Sequence, residues 1–209
     1  MRPLLVLLWL VSTSSIAHPH AWMSLKSEIH IHEHQWRYVD MTWYFDPMSS
    51  SQMVMGLNLT GQVPQDMLDN LKDGLVDSIT SQNYFSQFQH SQLAIEPLRL
   101  TDAEIFQEKT EIAIKFRLEL PEGLAVTSPF SWRTYESEYY VDMQHRALSD
   151  INITVSPQLP CTFSITEPVI DDDLLAYAEN LDKSDNPSID NLGFTFSQLI
   201  TAQCSTSEE

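Results

Sequence analysis

Alternation of apolar and polar residues is the feature that most limits how this chain can fold. Between positions 21 and 31 the apolar side chains fall on alternate residues: Met23, Leu25, Ile29 and Ile31. A period of two residues indicates a strand with one buried face. The polar residues 33–35 predict a tight turn, and the aromatic and β-branched residues of 36–45 predict a second strand. We expect an antiparallel hairpin.

The rest of the pattern predicts an α+β fold. Further strands are expected at 93–100, 103–106, 111–120, 130–143 and 151–155. Apolar residues recur every four positions behind Pro64, which predicts an amphipathic helix near 64–80. Three aspartates at 171–173 predict the start of a short C-terminal helix, and 192–201 reads as a last helix or a strand. We therefore expect one β-rich domain over 18–209, with antiparallel sheet and short C-terminal helices.

The first seventeen residues have the features of a cleaved secretory signal. Arg2 supplies a positive charge before the apolar run 4–11, and Ser15-Ile16-Ala17 fits a signal peptidase site. The apolar run is too short to cross a bilayer, and no later stretch is long and apolar enough. We expect cleavage after Ala17, an exported chain of residues 18–209, and no membrane insertion after cleavage.

The charge of the chain narrows the class of partner. Eleven Lys and Arg stand against 29 Asp and Glu in 209 residues, a formal net charge of −18 at pH 7. Such a polyanion is repelled by nucleic acid backbones and by anionic lipid headgroups. Cations are the ligands that its field favours.

Export gives meaning to the two cysteines. Cys161 and Cys204 are the only pair in the chain, and in an oxidising compartment a disulfide is the first expectation. The alternative is a pair of thiolate metal ligands, although no C-x-x-C spacing is present.

Cleavage would create a metal-binding sequence at the new N-terminus. His18 would then offer both a free α-amine and its ring nitrogen, and His20 would offer a third nitrogen. Pro19 has no amide N–H, so the square-planar mode that requires deprotonated amides at the second and third residues is blocked. That constraint favours zinc in a tetrahedral or low-symmetry site, or a brace-type copper site. Nickel and cobalt are further alternatives.

Other candidate ligands are less specific. Asp46, at the end of the second strand, and Glu136, in an aromatic segment, are carboxylates that would complete the primary site. A secondary patch of three histidines, His30, His32 and His34, alternates along a strand end. One interpretation of that patch is a solvated polar face at the end of a strand. The alternative is a patch that binds cations weakly and exchangeably.

Enzyme signatures are missing from the sequence. His32-Glu33-His34 has the wrong spacing for an H-E-x-x-H metalloprotease helix. The sequence contains no G-x-S-x-G and no glycine-rich phosphate loop. We do not expect an enzyme, with redox chemistry at a copper brace as the one alternative.

The order of several short motifs resembles a bacterial periplasmic family, grouped as domain of unknown function 1007, which includes ZevA-like components of zinc uptake. The matching stretches are His18-Pro19-His20-Ala21-Trp22, Trp43-Tyr44-Phe45-Asp46, Asn83-Tyr84-Phe85, Tyr135-Glu136, Tyr139-Tyr140, Cys161, and Asn191-Leu192-Gly193 running to Cys204. This chain departs from the family pattern at two positions. Relatives often carry an acidic residue where this chain has Pro47, and Asp where it has Glu136. Many relatives also have an acidic stretch, similar to a calcium-binding loop, before the helix. This chain has no carboxylate in 58–65, so the resemblance does not imply calcium binding here.

The resemblance implies a periplasmic partner of an inner-membrane permease of the nickel/cobalt type. Together with the N-terminal histidines, it predicts a transition-metal-binding accessory protein, most of all for Zn(II), with Ni(II), Co(II) or Cu as alternatives. Two other functions stay open: a copper-brace chaperone or redox protein, and a metal-free periplasmic interaction module.

Overall fold

The protein is described by a computed structural model covering residues 19–54, 61–156, 159–181 and 187–205. The predicted signal peptide, 1–17, and His18 lie outside these residues. The strands are β1 (Ala21–His32), β2 (Gln35–Phe45), β3 (Ser86–His90), β4 (Leu93–Ile95), β5 (Arg99–Glu108), β6 (Glu111–Glu119), β7 (Phe130–Thr134), β8 (Val141–Gln144), β9 (Ile151–Ser156), β10 (Cys161–Thr166) and β11 (Leu199–Cys204). The α-helices are α1 (Pro47–Met53), α2 (Gln65–Ser81), α3 (Asp172–Glu179) and α4 (Leu192–Phe196). Short 3₁₀ turns occur at Asn83–Phe85 and Leu148–Asp150.

The first sheet is built around β1. Its order is β5-β6-β2-β1-β8, and β9 also pairs with β1. The predicted β1–β2 hairpin is present, and its turn residues Glu33 and His34 have φ of 51° and 60°. Positive φ at both turn positions matches the right-handed twist of a hairpin. The other edge of β1 pairs in parallel with β8 and then with β9, which the sequence did not predict.

The second sheet is antiparallel throughout, in the order β10-β11-β7-β3-β4. Cys161 and Cys204 face each other across β10 and β11 and form a disulfide. The predicted disulfide is therefore confirmed, and the alternative of two thiolate metal ligands is wrong.

Aromatic side chains hold the two sheets together in one hydrophobic core. Trp36 of the first sheet stacks on Phe130 of the second at 5.4 Å between ring centroids, while Trp43 packs edge-on against Phe116. Trp36, Trp43 and Trp132 are essentially fully buried. Each such side chain removes roughly 200 Å² from water, which is worth about 5 kcal/mol before conformational entropy is subtracted. The predicted α+β fold with antiparallel-rich sheets is confirmed.

Two features of the helices and strands refine that prediction. α2 begins at Gln65, directly after Pro64, and packs the buried Leu68 and Ile79 against the core. The strand expected over 130–143 is instead two strands, β7 and β8, separated by a loop at 135–140. The short C-terminal helices α3 and α4 share a small apolar cluster with Tyr139 of that loop. Within the described part of the chain, no helix has the length and hydropathy needed to cross a membrane.

Candidate functional site

The predicted metal-binding sequence enters the fold at the start of β1, where its backbone is fixed. The carbonyl of Tyr140 accepts hydrogen bonds from the amides of His20, at 2.9 Å, and Ala21, at 3.3 Å. The His20 ring is half-buried and stacks on the Tyr140 ring with centroids 5.8 Å apart. One side of the segment is therefore tied to the loop that precedes β8.

Glu136 organises that loop. Its Oε2 accepts the amide of Tyr140 at 2.7 Å, and its Oε1 accepts the amide of Glu138 at 2.9 Å. Gly193 supports the loop from below: its amide donates to the carbonyl of Ser137. A Cβ at Gly193 would lie only 1.8 Å from the backbone oxygen of Glu136, so glycine is required at this close approach. Glu136 thus acts on His20 through Tyr140.

Asp46 ties down the opposite side of the segment. The amide of Trp22 donates to Asp46 Oδ2 at 3.1 Å, and the amide of Asp46 donates back to the Trp22 carbonyl. Asp46 also caps α1, because its carboxylate accepts the amides of Met48 and Ser49 and the Ser49 hydroxyl. Burial opposes the charge on Asp46, but these hydrogen bonds outweigh burial and hold its pKa below the usual value.

The two predicted carboxylates therefore flank the N-terminal segment, yet each is engaged in hydrogen bonds. Four donors reach Asp46, which matches the roughly four lone-pair positions of a carboxylate. Asp46 would have to give up a donor before it could bind a metal. Within the described residues, the ligand atoms of His20, Asp46 and Glu136 are not gathered within 4.8 Å of one another. Both carboxylates hold the backbone around His20 and Trp22 in this geometry, and their role as metal ligands stays a prediction.

A second group of ligand-type side chains lies in the middle of the first sheet. Glu28 and His30 come from β1, and Asp40 lies directly opposite Glu28 on β2. His30 Nε2 is 3.1 Å from Asp40 Oδ2 and 3.7 Å from Glu28 Oε1. Over the described ranges, this is the one set of three such side chains whose ligand atoms all lie within 4.8 Å of one another.

Neighbouring strands hold this group in place. Arg117 of β6 donates to both oxygens of Asp40, at 2.7 and 2.9 Å, and its guanidinium lies 3.8 Å from the centre of the Tyr38 ring. The Asp40 carboxylate raises the pKa of Arg117, so the guanidinium stays charged. Tyr38 in turn stacks on His30 at 4.2 Å, and Thr154 of β9 donates to Glu28. A cleft of about 600 Å³ opens beside His30 and Tyr38.

The predicted patch of three histidines does not come together as a unit. His32 and His34 are exposed at the hairpin end, whereas His30 is turned toward Glu28 and Asp40. Sequence reasoning missed both carboxylates for a definable reason. Counting back from the two-residue turn places Val39 opposite Glu28. A register shift between His30 and Ile31 moves Asp40 into that position and onto the same face.

The fold and its disulfide define a β-rich α+β protein of the kind that persists in an oxidising, extracytoplasmic compartment. The chain belongs to the family described as "Protein of unknown function (DUF1007)", which it matches over residues 3–204. Membership of this family, which the order of the short motifs predicted, is therefore confirmed.

A relative is known from Haemophilus influenzae (strain ATCC 51907 / DSM 11121 / KW20 / Rd). It is named "Uncharacterized protein" and is 29% identical over 199 residues, which cover 93% of this chain and 94% of the relative. No solved structure matches this chain significantly.

Proposed function

We propose that this protein is a periplasmic transition-metal-binding accessory protein that works with an inner-membrane metal permease, in zinc transport first of all. Nickel and cobalt are the alternative cargoes. The observation that carries the proposal is the anchoring of 20–22: Tyr140 holds the backbone of His20 from one side, and Asp46 holds that of Trp22 from the other.

Anchoring favours metal binding because it reduces the ordering cost of the ligands. Cleavage after Ala17 would leave His18 only two residues from this fixed point, with Pro19 restricting the link between them. The α-amine and ring of His18 and the ring of His20 would then supply nitrogen donors suited to Zn(II). Asp46 and Glu136 would support the site through the backbone contacts that they make.

The neighbourhood of the anchored segment also suits a protein partner. Trp22 and Met48 are 50% and 59% exposed, and the amides of both donate to Asp46. Exposed apolar side chains that lie next to each other can form a contact surface, and tryptophan is frequent among the residues that dominate binding. A permease docking on Trp22 and Met48 would contact the protein beside its N-terminal ligands.

Calorimetric titration of the mature chain, 18–209, with Zn(II) tests the proposed site. We expect His18→Ala/His20→Ala to weaken binding at this site at least tenfold. The matched control is His32→Ala/His34→Ala, which removes two exposed histidines and should leave it unchanged. A third variant, with one alanine added before His18, keeps both imidazoles but moves the free α-amine, and should also weaken binding. Unchanged affinity in the double variant and in the extended one would contradict the site.

Two further measurements separate the proposal from its rivals. Elemental analysis of protein isolated from the periplasm should find zinc, nickel or cobalt; copper would indicate the copper-brace alternative, and no metal would indicate an interaction module. A photocrosslinking residue at position 22 should capture an inner-membrane permease in cells. The same residue at Thr162, exposed on the second sheet, is the control that should not. Capture at both positions, or at neither, would argue against docking at Trp22.

A further inference from the structure

The middle of the first sheet offers a second place for a metal ion. We propose that Glu28, His30 and Asp40 form a binding site for a divalent transition-metal ion, separate from the N-terminal histidines. The inference goes beyond the proposed function, because it uses only residues of β1 and β2 and requires neither signal cleavage nor a permease.

The distances among the three side chains suit a shared ion. Metal–ligand bonds of about 2.0–2.2 Å place neighbouring ligand atoms about 3.0–3.5 Å apart. His30 Nε2 lies 3.1 Å from Asp40 Oδ2 and 3.7 Å from Glu28 Oε1, so small rotations bring all three onto one ion. One imidazole and two carboxylates form a donor set that Zn(II), Co(II) and Ni(II) accept. The adjoining cleft provides an entry path.

The state of His30 is the second observation. Its side chain is only 14% exposed, and its Nε2 is buried without a hydrogen bond from the described residues. Asp40 Oδ2 lies within hydrogen-bond distance of this nitrogen, at 3.1 Å, but the two groups are not aligned for a hydrogen bond. A buried ring nitrogen left in this state costs free energy. A metal ion between His30 and the two carboxylates would use its lone pair, and the stacked Tyr38 already holds the ring in place.

Charge balance favours a divalent ion at the same point. Asp102 is a third carboxylate close to this group, because its Oδ2 lies 3.4 Å from Arg117 Nη1. Among the carboxylates and the guanidinium of this group, three negative charges face one positive charge. A divalent cation would offset this excess of negative charge. Asp40 is largely buried, which makes that compensation more valuable than at an exposed site.

Arg117 and Thr154 act as positioning residues. Arg117 fixes the plane of the Asp40 carboxylate through two hydrogen bonds, and Thr154 fixes one oxygen of Glu28. Each carboxylate keeps further lone-pair positions for an ion. Ligands that are oriented in this way by neighbouring groups bind metals more tightly than free ones.

Counting ions per chain tests the site. We expect calorimetric titration of the mature protein with Zn(II) to give two sites, and Co(II) to produce a d–d absorption band at each. His30→Ala and, separately, the near-isosteric Glu28→Gln should each remove one site or weaken it at least tenfold. His32→Ala/His34→Ala, on the same hairpin, is the control that should keep both sites. Circular dichroism melts show whether each variant is folded. If His30→Ala does not fold, Glu28→Gln alone tests the site.

The outcomes distinguish this site from the N-terminal one. A single site that is lost in His30→Ala but kept in His18→Ala/His20→Ala would support the sheet site and defeat the N-terminal assignment. A single site with the reverse behaviour would overturn the sheet site and leave the proposed function standing. Two sites that survive both His30→Ala and Glu28→Gln would also overturn it.

Discussion

A buried histidine should make the stability of this fold depend on pH. His145 is only 3% exposed, its Nε2 lies 2.9 Å from the Ser27 hydroxyl, and its ring meets the Trp132 ring edge-on. Gln198 accepts its backbone amide and donates to its carbonyl, which fixes the residue in the core. Burial lowers the pKa of His145 to about 4, although Asp150 opposes this in part. The folded protein therefore holds the ring neutral.

The sign and size of the effect follow from that pKa. In the unfolded chain the ring titrates near the ordinary histidine value of about 6.5. Between about pH 6.5 and pH 4 the unfolded state binds more protons than the folded state, so the free energy of unfolding falls as the pH falls. The difference of about 2.5 units corresponds to about 3 kcal/mol at 1.36 kcal/mol per unit. The stability that the neutral, buried ring contributes is fully present above about pH 6.5 and is lost as the pH falls toward 4.

Urea unfolding in metal-free buffer from pH 7.5 to pH 4 measures the effect. The wild type should lose about 3 kcal/mol more than His145→Gln over this range, because glutamine does not titrate. The carboxylates titrate alike in both proteins, so their contribution cancels in the difference. His34→Gln, at the exposed turn, should follow the wild type. Parallel pH profiles for wild type and His145→Gln would refute the reasoning.

Four further variants should change the stability of the fold, each in a stated direction. Gly193→Ala should destabilise the fold by about 1–3 kcal/mol, since its Cβ would collide with the facing loop. Gly74→Ala, whose Cβ would have nothing within 4 Å, should instead stabilise α2 by up to about 1 kcal/mol. Melting temperatures that shift in the same direction in both variants would contradict this. Cys161→Ser/Cys204→Ser opens a loop with a sequence separation of 43, so the urea midpoint should fall by the equivalent of up to about 4 kcal/mol, and an unchanged midpoint would count against it. Asp46→Asn should cost about 1–2 kcal/mol in urea unfolding at pH 7, because an amide accepts fewer of the four hydrogen bonds; no loss would show that the cap is unimportant.

Local patterns were sufficient to predict the hairpin and the main helix. The alternation in 21–31 and the polar turn at 33–35 gave β1 and β2 nearly to the residue. The four-residue recurrence after Pro64 gave α2 with a similar accuracy. These elements are fixed by interactions between residues that are close in sequence, so their signal is present in a short window.

Long-range pairings could not be predicted in this way. β1 pairs in parallel with β8 and β9, more than a hundred residues away, and nothing in the 21–31 window shows which segments will lie alongside it. The tyrosines of 135–140 have high β-propensity, which favours the continuous strand that the sequence predicts over 130–143. Glu136 overrides that preference by accepting amides of its own loop, and the close approach of Gly193 supports the turn.

The same distinction separates the two candidate sites. His18 and His20 are neighbours in sequence, so their chemistry was visible without a structure. The Glu28–His30–Asp40 group depends on a one-residue register shift in the hairpin, which reverses the face that Asp40 occupies relative to Glu28. A bulge of this kind leaves no clear mark on the local hydrophobic pattern.

The central place of β1 has a consequence for how the protein matures. The carbonyl of Tyr140 holds the backbone amide of His20, and one edge of β1 stays unpaired until β8 and β9 are present. A chain that has emerged only as far as β7 therefore has an unpaired strand and a loose amino-terminal end. Assembly of that end is postponed until about two thirds of the polypeptide has appeared, so the proposed N-terminal site could take up an ion only after the fold has formed.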